Sequence, residues 1–489
     1  MAVENGLLRW LIPWFVSRGL TGRAADLKRI IRVARRIPTT VAARRFFDGL
    51  ESSLDRQEAM GELFLRIGRQ LSRRSRSRLA TNLLYNEFIA GYPIRRDHIV
   101  AGSWVPGFFV MSPTMRCNLA CRGCYSAIYP KREELSLEEM DRILTEAETL
   151  GIYFVVISGG EPYLLSDRLL RLFRRHRNQY FLTYTNATLL DGALCRELER
   201  LGNVAPGISV EGFERETEDR RGPGVFSKVL KAMDLLRDHG VLFGFSATAT
   251  RHNLDTISSA GFVRFYRERG ALFGWYFLYI PVGREPDLDL APTPDQRVEL
   301  GRRVARLRNE QPIFLGDFWN DGPAVGGCMA GGRTYLHILS SGAVEPCVFC
   351  HFSSDSIHGK SLLEVANSPF FRAIRREFPY NRTGNLLRPC MIIDNPGVLR
   401  RLVEQHVVPA GHENADAIVR DPKAVAWADD YARRMEELTE PAWEAMVSDP
   451  SSRWYRGGPD YLDYLRPPIL FAGERPDGDL PQPVAPKGP

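Results

Sequence analysis

Cys117-Asn-Leu-Ala-Cys121-Arg-Gly-Cys124-Tyr125 places three thiols in a single loop, at spacings of four and three residues. Thiolates are soft ligands that suit iron–sulfur clusters, and a four-iron cluster is normally held by four of them. A local set of three therefore predicts a four-iron cluster with one iron open to another ligand. The alternative is a structural zinc site, which also uses CxxC spacing but needs a fourth ligand nearby. The neighbouring histidines, His98 and His176, lie outside the loop.

A glycine-rich turn, Ser158-Gly159-Gly160-Glu161-Pro162, follows the cysteine loop by about one strand, one helix and one more strand. The two motifs together resemble those of the radical S-adenosylmethionine (SAM) enzymes, and the resemblance covers roughly residues 107–281. It implies that the amino and carboxylate groups of SAM chelate the open iron, and that the turn receives the amino group. An electron from the cluster would then cleave SAM, and the 5′-deoxyadenosyl radical would abstract hydrogen from an unactivated carbon.

Strand and helix patterns alternate from residue 107 onward, and the capping box Ser136-Leu-Glu-Glu139 opens the first helix. Six such units predict a parallel sheet with the chemistry at the carboxyl ends of its strands. We expect an α/β fold: a partial (β/α)6 TIM-like barrel with a helical N-terminal extension and a small C-terminal α+β cluster-binding domain. The predicted strands are 108–112, 152–158, 180–185, 207–211, 242–248 and 273–279, and the helices are 136–150, 169–176, 192–201, 226–239 and 257–269.

Several residues at these strand ends match the SAM-binding elements of the family that the chain resembles. Asn186 and Ser209 are expected to be polar contacts to the cofactor, and Arg221 to pair with its carboxylate. Glu211 stands where relatives often carry aspartate. An ordinary ion pair at the barrel rim is the alternative for Glu211 and Arg221. The expected cofactor-binding residues are Gly159, Gly160, Glu161, Asn186, Ser209, Glu211 and Arg221.

One departure from the family pattern is Gly123, where many relatives have an aromatic residue before the third cysteine. The glycine leaves the three thiols unchanged, so cluster ligation is still expected.

Four further cysteines, Cys328, Cys347, Cys350 and Cys390, resemble the auxiliary-cluster domain called SPASM or, when shortened, twitch. Gly342 precedes Cys347 by five residues, as in the Gly-x4-Cys hairpin of that domain. A complete SPASM domain has seven cysteines, whereas four thiolates fully ligate one additional four-iron cluster. A zinc site is one alternative. Another leaves an iron open to substrate because Cys350 or Cys390 is not a ligand.

The eighth cysteine, Cys195, lies in a predicted helix and is expected to be a buried small apolar residue.

The N-terminal region carries the basic excess of the chain. Residues 1–100 contain 19 Lys and Arg against 9 Asp and Glu, whereas the whole chain has a net charge of +6. Leu7 to Val16 interleaves apolar and aromatic residues and precedes this basic stretch, a combination typical of a helix lying on an anionic membrane. The alternatives are a helical cap on the catalytic domain and an RNA-binding face. A basic run alone is poor evidence for nucleic acid, which we do not expect to bind.

Length and composition predict an intracellular enzyme of two or three domains, with 489 residues of which 44% are hydrophobic. Since neither a transmembrane run nor a signal peptide is apparent, we expect a cytoplasmic location, peripheral on the inner face of the membrane. The expected domains are an N-terminal region 1–100, a radical SAM core 101–290, a helical linker 291–325, an auxiliary cluster domain 326–395, a helical region 396–473 and a disordered tail 474–489.

Three functions remain open from the sequence. The first is a radical SAM enzyme acting on a membrane-associated, lipid-like substrate, as the N-terminal pattern indicates. The second is a maturase that modifies a ribosomal peptide or a protein, because the auxiliary domain resembles those of peptide-modifying enzymes. The third is a non-catalytic iron–sulfur electron-transfer protein. For the enzymes, the resemblance implies reduced flavodoxin or ferredoxin as electron donor.

Overall fold

The computed structural model describes residues 20–35 and 41–458. Residues 7–16, which motivate the membrane hypothesis, and the tail 474–489 lie outside this part of the chain. A ten-stranded sheet forms its centre, in the order β10-β9-β8-β1-β2-β3-β4-β5-β6-β7. The pairs from β8 through β1 to β7 are parallel, and β8, β9 and β10 pair antiparallel. The strands are β1 Phe108–Met111, β2 Phe154–Ile157, β3 Tyr180–Thr185, β4 Val204–Val210, β5 Gly244–Ala249, β6 Phe273–Leu278, β7 Phe314–Asp317, β8 His337–Ile338, β9 Ala343–Glu345 and β10 Asp355–Ser356.

Helices connect the strands as the alternating pattern predicts. The capping box at Ser136 is present, since its hydroxyl accepts from Glu139 N and the Glu139 carboxylate accepts from Ser136 N. From β1 to β7 the α-helices are Leu137–Thr149, Ser166–Arg175, Gly192–Leu201, Glu214–Arg221, Val225–Asp238, Leu254–Ile257, Ala260–Glu268 and Pro294–Glu310, with a 3₁₀ helix at Pro162–Leu165.

The first six strands enclose one cavity, which confirms the expected partial barrel. Side chains on a strand alternate between its two faces, so every second residue points inward. The intervening residues, such as Phe109, Val155 and Phe181, pack in the main core with the helices. The strand residues that line the cavity are Phe108, Val110, Phe154, Val156, Leu182, Tyr184, Ser209, Ser246, Thr248, Trp275 and Phe277, together with Thr185 and Leu278 at the ends of β3 and β6.

Four strands of the sheet, β7 to β10, were not among the six predicted strands. Residues 291–325, expected as a helical linker, contain β7, which pairs parallel with β6. Residues of β8 pair parallel with β1, so the auxiliary hairpin β8–β9 extends the sheet at its other edge. β8, β9 and β10 have only two or three residues each, too few to carry a period-two pattern. β7 has four residues and lies in a stretch that was predicted to be helical.

The described N-terminal helices cap the amino ends of the barrel strands, as the cap alternative expects. Leu63, Leu71 and Leu79 form one buried cluster with Tyr180 and with residues that precede or begin β4, β5 and β6. Arginines of this region bind the core rather than solvent: Arg66 donates to the carbonyls of Arg267 and Ala271 at 2.9 and 3.3 Å. The α-helices here are Ala24–Ala34, Val41–Asp55, Ala59–Gln70, Arg73–Arg78 and Gly91–Val100, and a π-helix spans Leu79–Ala90.

The C-terminal part is helical and packs on the auxiliary region. Trp443 and Trp454 are buried in one cluster with Leu386, which attaches the C-terminal helix to the auxiliary region. Among the helices of the described residues, none is both long and apolar enough to cross a membrane. The helices after β7 are Gly322–Val325, Leu362–Ala366, Pro369–Arg376, Pro396–Gln405, Ala417–Arg420 and Pro422–Ser448.

Candidate active site

The cysteine loop after β1 lies at the mouth of the barrel cavity, which has a volume of about 640 Å³. Cys117, Cys121 and Cys124 all line this cavity, and each thiol is at least partly exposed. Burial in the loop raises the pKa of Cys117. The three cysteines predicted from their spacing therefore all face the same cavity.

The glycine-rich turn holds the cysteine loop through backbone contacts. Gly160 N donates to Thr114 O at 2.9 Å, and Glu161 N donates to Arg116 O at 2.8 Å. A Cβ atom on Gly159 would lie 2.3 Å from Thr114 O, and one on Gly160 would lie 2.0 Å from Arg116 O. Only glycine permits this approach, so the turn fixes the position of the thiol loop.

Glu161 lies behind the cavity rather than in it. Its carboxylate accepts from Tyr163 N at 3.1 Å, from Thr185 Oγ1 at 2.8 Å and from Asn186 N at 2.8 Å. The side chain is fully buried, and burial raises the pKa of its carboxyl group. Through these contacts Glu161 links the glycine-rich turn to the end of β3, and its role in cofactor binding stays a prediction.

Asn186 and Ser209 line the cavity next to the cysteine loop, as predicted. The Asn186 amide nitrogen donates to Asn118 Oδ1 at 2.8 Å and lies 3.8 Å from Cys117 Sγ. Thr188 donates to Asn186 Oδ1 from both its backbone nitrogen and its hydroxyl. These contacts orient the amide between the loop and the end of β3.

Glu211 pairs with Arg220 and Arg221, which is the ion-pair alternative. Arg220 Nη1 donates to Glu211 Oε1 at 2.7 Å, and Arg221 Nε donates to the same oxygen at 2.9 Å. The Glu211 side chain is 1% exposed, and its Oε2 atom has no hydrogen-bond partner among the described residues. Both arginines also line the cavity, whereas Glu211 does not. One buried carboxylate therefore anchors two cations beside the thiols.

Gly123 is explained by Tyr279, a residue that the sequence analysis did not single out. A Cβ atom on Gly123 would lie 2.5 Å from the Tyr279 ring, and the glycine has a φ of +63°. Tyr279 is buried and lines the cavity, and its hydroxyl accepts from Asp287 N at 3.0 Å. An aromatic ring from the end of β6 thus packs where an aromatic residue of the loop would stand.

The four auxiliary cysteines gather below the cavity. Cys347, Cys350 and Cys390 are buried, and Cys328 is partly exposed. The thiol of Cys350 interacts electrostatically with those of Cys347, Cys390 and Cys328, so the four form one group. Burial raises the pKa of Cys328 to about 12 and that of Cys390 to about 11. Cys195 is fully buried elsewhere, in its predicted helix.

A layer of side chains separates these thiols from the cavity. Tyr335, Val348, Phe349 and Met329 line the cavity, whereas none of the four auxiliary cysteines does. The Tyr335 ring also stacks on that of Phe108, with ring centroids 5.1 Å apart. The cavity therefore reaches from the first cysteine set to the immediate neighbours of the second.

A buried polar chain joins the two regions, and sequence reasoning missed it. Ser112 Oγ lies 2.7 Å from His337 Nε2, and His337 Nδ1 lies 3.2 Å from Glu345 Oε2. The Tyr129 hydroxyl donates to Glu345 Oε1 at 2.6 Å. Ser112, His337 and Glu345 are fully buried. Because Ser112 and Tyr129 flank the first cysteine set and Glu345 precedes the second, this chain fixes one region relative to the other.

The cavity lining is cationic at its mouth and apolar elsewhere. No Asp or Glu side chain of the described residues lines it. Its five basic residues are Arg116, Lys131, Arg220, Arg221 and Arg284.

The donor sets fit iron–sulfur clusters better than a single ion. No group of three or more Cys, His, Asp and Glu side chains in residues 20–35 and 41–458 could hold one metal ion. Tetrahedral zinc requires its sulfur ligands close together, with Zn–S bonds of about 2.3 Å. The open loop of three thiols, next to cationic side chains that line the same cavity, fits a cluster together with a polar, carboxylate-bearing cofactor.

Comparison with known families agrees with both motifs. Residues 111–257 match the model of the Radical SAM superfamily, and residues 328–391 match SPASM, described as an iron-sulfur cluster-binding domain. These matches fall within the predicted core 101–290 and auxiliary domain 326–395, whose boundaries themselves stay predictions.

The chain is similar to several curated proteins over about half of its length. The chain is 27% identical to an AdoMet-dependent heme synthase of Methanosarcina barkeri, over 57% of this chain and 87% of the relative. It is 28% identical to the PqqA peptide cyclase of Granulibacter bethesdensis, over 48% of this chain and 65% of the relative. It is 30% identical to the mycofactocin maturase MftC of Mycobacterium tuberculosis, over 54% of this chain and 71% of the relative.

These matches decide several expectations of the sequence analysis. The protein is an enzyme; its cofactors are a four-iron cluster with SAM, and the SPASM domain indicates additional iron–sulfur clusters rather than zinc. An electron-transfer protein without catalysis is thereby excluded. The chain belongs to the radical SAM superfamily and carries a SPASM-type auxiliary cluster domain.

Proposed function

We propose that this enzyme modifies a ribosomally made peptide or a protein by radical chemistry. Two of its relatives are named a peptide cyclase and a maturase, which favours this substrate over the lipid-like one. The observation that carries the proposal is the cavity, which opens at the first cysteine set and ends at the neighbours of the second. A substrate side chain entering it would meet both regions at once.

The proposal assigns ligands to each cluster. Cys117, Cys121 and Cys124 would hold the catalytic four-iron cluster, because their thiols share one open face. Cys328, Cys347, Cys350 and Cys390 would fully ligate the auxiliary one. Bound at the first site, a reduced cluster supplies the electron that cleaves SAM and so generates the radical that abstracts hydrogen.

The chain's own residues would position SAM and exclude water. Asn186 and Ser209 offer polar contacts beside the thiols, and the backbone of Gly159 and Gly160 forms the adjacent edge. Arg221 keeps Nη1 available to a carboxylate, since only its Nε and Nη2 atoms donate to Glu211. The aromatic lining of the cavity removes water from the space where hydrogen is abstracted, which protects a reactive intermediate.

The electron donor and location follow the same proposal. Radical SAM chemistry needs a reductant, and we propose reduced flavodoxin or ferredoxin for this role. A cytoplasmic location, with peripheral contact to the inner face of the membrane, rests on the sequence of residues 1–100 alone.

The test uses a candidate precursor peptide encoded beside the gene for this protein. We would incubate the anaerobically reconstituted full chain with SAM, dithionite and the peptide, and follow both by mass spectrometry. The proposal expects a peptide mass change that is proportional to 5′-deoxyadenosine. A C117A/C121A/C124A variant is the matched control and should give neither product. SAM cleavage without any change in the peptide, at every peptide tried, would contradict the assigned substrate.

A haem precursor is the second candidate substrate. The relatives named heme synthases favour it, and so does a cavity with five basic and no acidic lining residues, since tetrapyrroles are flat, apolar and anionic. The same assay with an iron-loaded tetrapyrrole carboxylate in place of the peptide separates the two candidates.

A further inference from the structure

Two of the five cations that line the cavity have no carboxylate partner. Arg116 forms an ion pair with Glu134, and Arg220 and Arg221 do so with Glu211. Lys131 and Arg284, by contrast, form no ion pair with any described residue; the Lys131 amine donates only to the carbonyl of Ser126, at 3.1 Å. Both are half-buried. A partly buried, unpaired cation is costly, and two that repel each other are more so.

The fold places these two cations together at the catalytic loop. Arg284 N donates to Cys124 O at 3.1 Å. Gly283 packs so closely that a Cβ atom there would lie 2.5 Å from the same carbonyl oxygen. Lys131 follows the loop, and burial lowers the pKa of its amine; Cys124 opposes this shift and the nearby Arg284 adds to it. The close backbone contact holds Arg284 at the cysteine loop, and its side chain and that of Lys131 line the same cavity.

The rest of the cavity lining determines which chemical groups of a ligand could lie beyond these two cations. It is mostly apolar and aromatic, with Phe108, Phe154, Trp275, Phe277, Phe318 and Tyr335 as its rings. A ligand that suits both parts has an apolar body and an anionic group at one end. A lysine and an arginine bind carboxylate or phosphate with charge-assisted hydrogen bonds, and carboxylate is the one that an unmodified peptide carries.

We propose that Lys131 and Arg284 form a substrate subsite that binds a carboxylate, so that an apolar group of the substrate enters the aromatic cavity while its carboxylate stays at the mouth. This subsite rests on the proposed function and deepens it, since in a peptide the carboxylate is either the C-terminus or an acidic side chain. In this proposal Lys131 and Arg284 bind the substrate, whereas Arg221 and the polar residues at the strand ends bind SAM.

The test measures binding of small probes to the reconstituted full chain by isothermal titration calorimetry, with SAM at saturation. N-acetylphenylalanine and its amide form one pair, which represents a C-terminus. N-acetyl-Phe-Glu-amide and N-acetyl-Phe-Gln-amide form the other, which represents an acidic side chain. We expect the anionic probe of at least one pair to bind about tenfold more tightly than its neutral partner. The pair that shows the preference identifies the source of the carboxylate.

Variants connect this preference to the two residues. The double substitution K131Q/R284Q should abolish it, whereas K131R/R284K, which keeps both charges, should restore most of it. K228Q/R264Q is the matched control because it removes the same charge from exposed helix positions outside the cavity, and the preference should stay. Equal binding within both wild-type pairs, or a preference that survives in K131Q/R284Q, would overturn the subsite.

A last arm separates the subsite from the cofactor site. The wild-type titrations are repeated without SAM. A preference for the anion in both conditions supports a substrate subsite. A preference that disappears when SAM is present would mean that SAM occupies these cations, and the proposal would fail. The probes report on binding alone, so the result stands whether or not a peptide proves to be the substrate.

Discussion

The two cysteine sets of this enzyme are built in opposite ways. Cys117, Cys121 and Cys124 come from one short loop, remain partly exposed and line the cavity. The auxiliary set comes from three separate segments, and of its four members only Cys328 is partly exposed. A local loop can present thiols to a cofactor without disturbing the core. A dispersed, buried set, by contrast, is part of the core, so its ligands and the stability of the fold depend on each other.

Removal of each set should therefore have different consequences, and this is the largest effect we expect. C117A/C121A/C124A should lose SAM cleavage down to background and lower the iron content from about eight to about four atoms per chain. Its free energy of unfolding should change little. Cys350→Ala should lower the free energy of unfolding by several kcal/mol, because lost cluster binding is lost folding free energy.

Iron analysis and chemical denaturation check both variants under anaerobic conditions. Cys195→Ala is the control for loss of a buried thiol outside either set, since Cys195 is fully buried in a helix of the core. If the loop variant unfolded as readily as Cys350→Ala, the contrast between the two sets would be wrong.

The glycine turn gives the next effect in size. Gly160→Ala would place a Cβ atom 2.0 Å from Arg116 O, where ordinary contacts begin near 3.4 Å. The cysteine loop must then shift by about 1 Å, and a displacement of that size costs on the order of 10²-fold in rate. We expect this loss in SAM cleavage, measured as 5′-deoxyadenosine formed. Gly261→Ala, on a helix with open space around it, should keep wild-type activity.

Much of this site was predictable from local sequence, because its chemistry is local. The three thiols, the glycine turn, Asn186 and Ser209 all lie at the carboxyl ends of predicted strands and line the cavity. Strand β3 and its following helix match their predicted bounds, 180–185 and 192–201. A short apolar and aromatic run for the strand, followed by a helical apolar pattern, produced those predictions.

What the sequence did not predict depends on contacts between distant segments. The Glu161 carboxylate accepts hydrogen bonds from three donors in the 3₁₀ turn and at the end of β3, and the glycine-rich motif alone did not indicate these partners. Tyr279 packs on Gly123, from far along the chain. His337 and Glu345 also gave no signal, because a lone histidine or glutamate in a short hairpin has no period or spacing that marks it.

The buried hydrogen bonds that link Ser112, His337, Glu345 and Tyr129 can be tested for their contribution to stability. Glu345→Leu would leave the Tyr129 hydroxyl and His337 Nδ1 without their buried acceptor. Each unsatisfied buried group costs about 1 kcal/mol or more, so we expect a loss of about 2 kcal/mol in free energy of unfolding. Denaturation of the reconstituted protein measures it.

Two comparisons make that result specific. Glu404→Leu, at an exposed position of a C-terminal helix, should change stability by less than about 0.5 kcal/mol. A double variant with Tyr129→Phe should lose less than the sum of the single losses, because the two side chains share one hydrogen bond. Full additivity would mean that the Tyr129–Glu345 contact does not join the two regions.

The smallest effect that we expect concerns Arg220 and Arg221, which both bind Glu211. It tests which of the two arginines binds SAM at the first cysteine set. Both donate to the same oxygen, so either one alone still neutralises the buried carboxylate and the fold should tolerate each single loss. Arg221 interacts electrostatically with Cys121 and Cys124, whereas Arg220 Nε donates to the backbone carbonyl of Arg122 in the cysteine loop at 3.2 Å. We therefore expect Arg221→Gln to weaken SAM binding about tenfold, the value of one hydrogen bond to a charged group, and Arg220→Gln to weaken it less than about threefold. Equilibrium dialysis with labelled SAM measures both constants. If both substitutions weakened SAM binding equally, Arg221 would be only an ion-pair partner of Glu211. Other residues would then bind the SAM carboxylate.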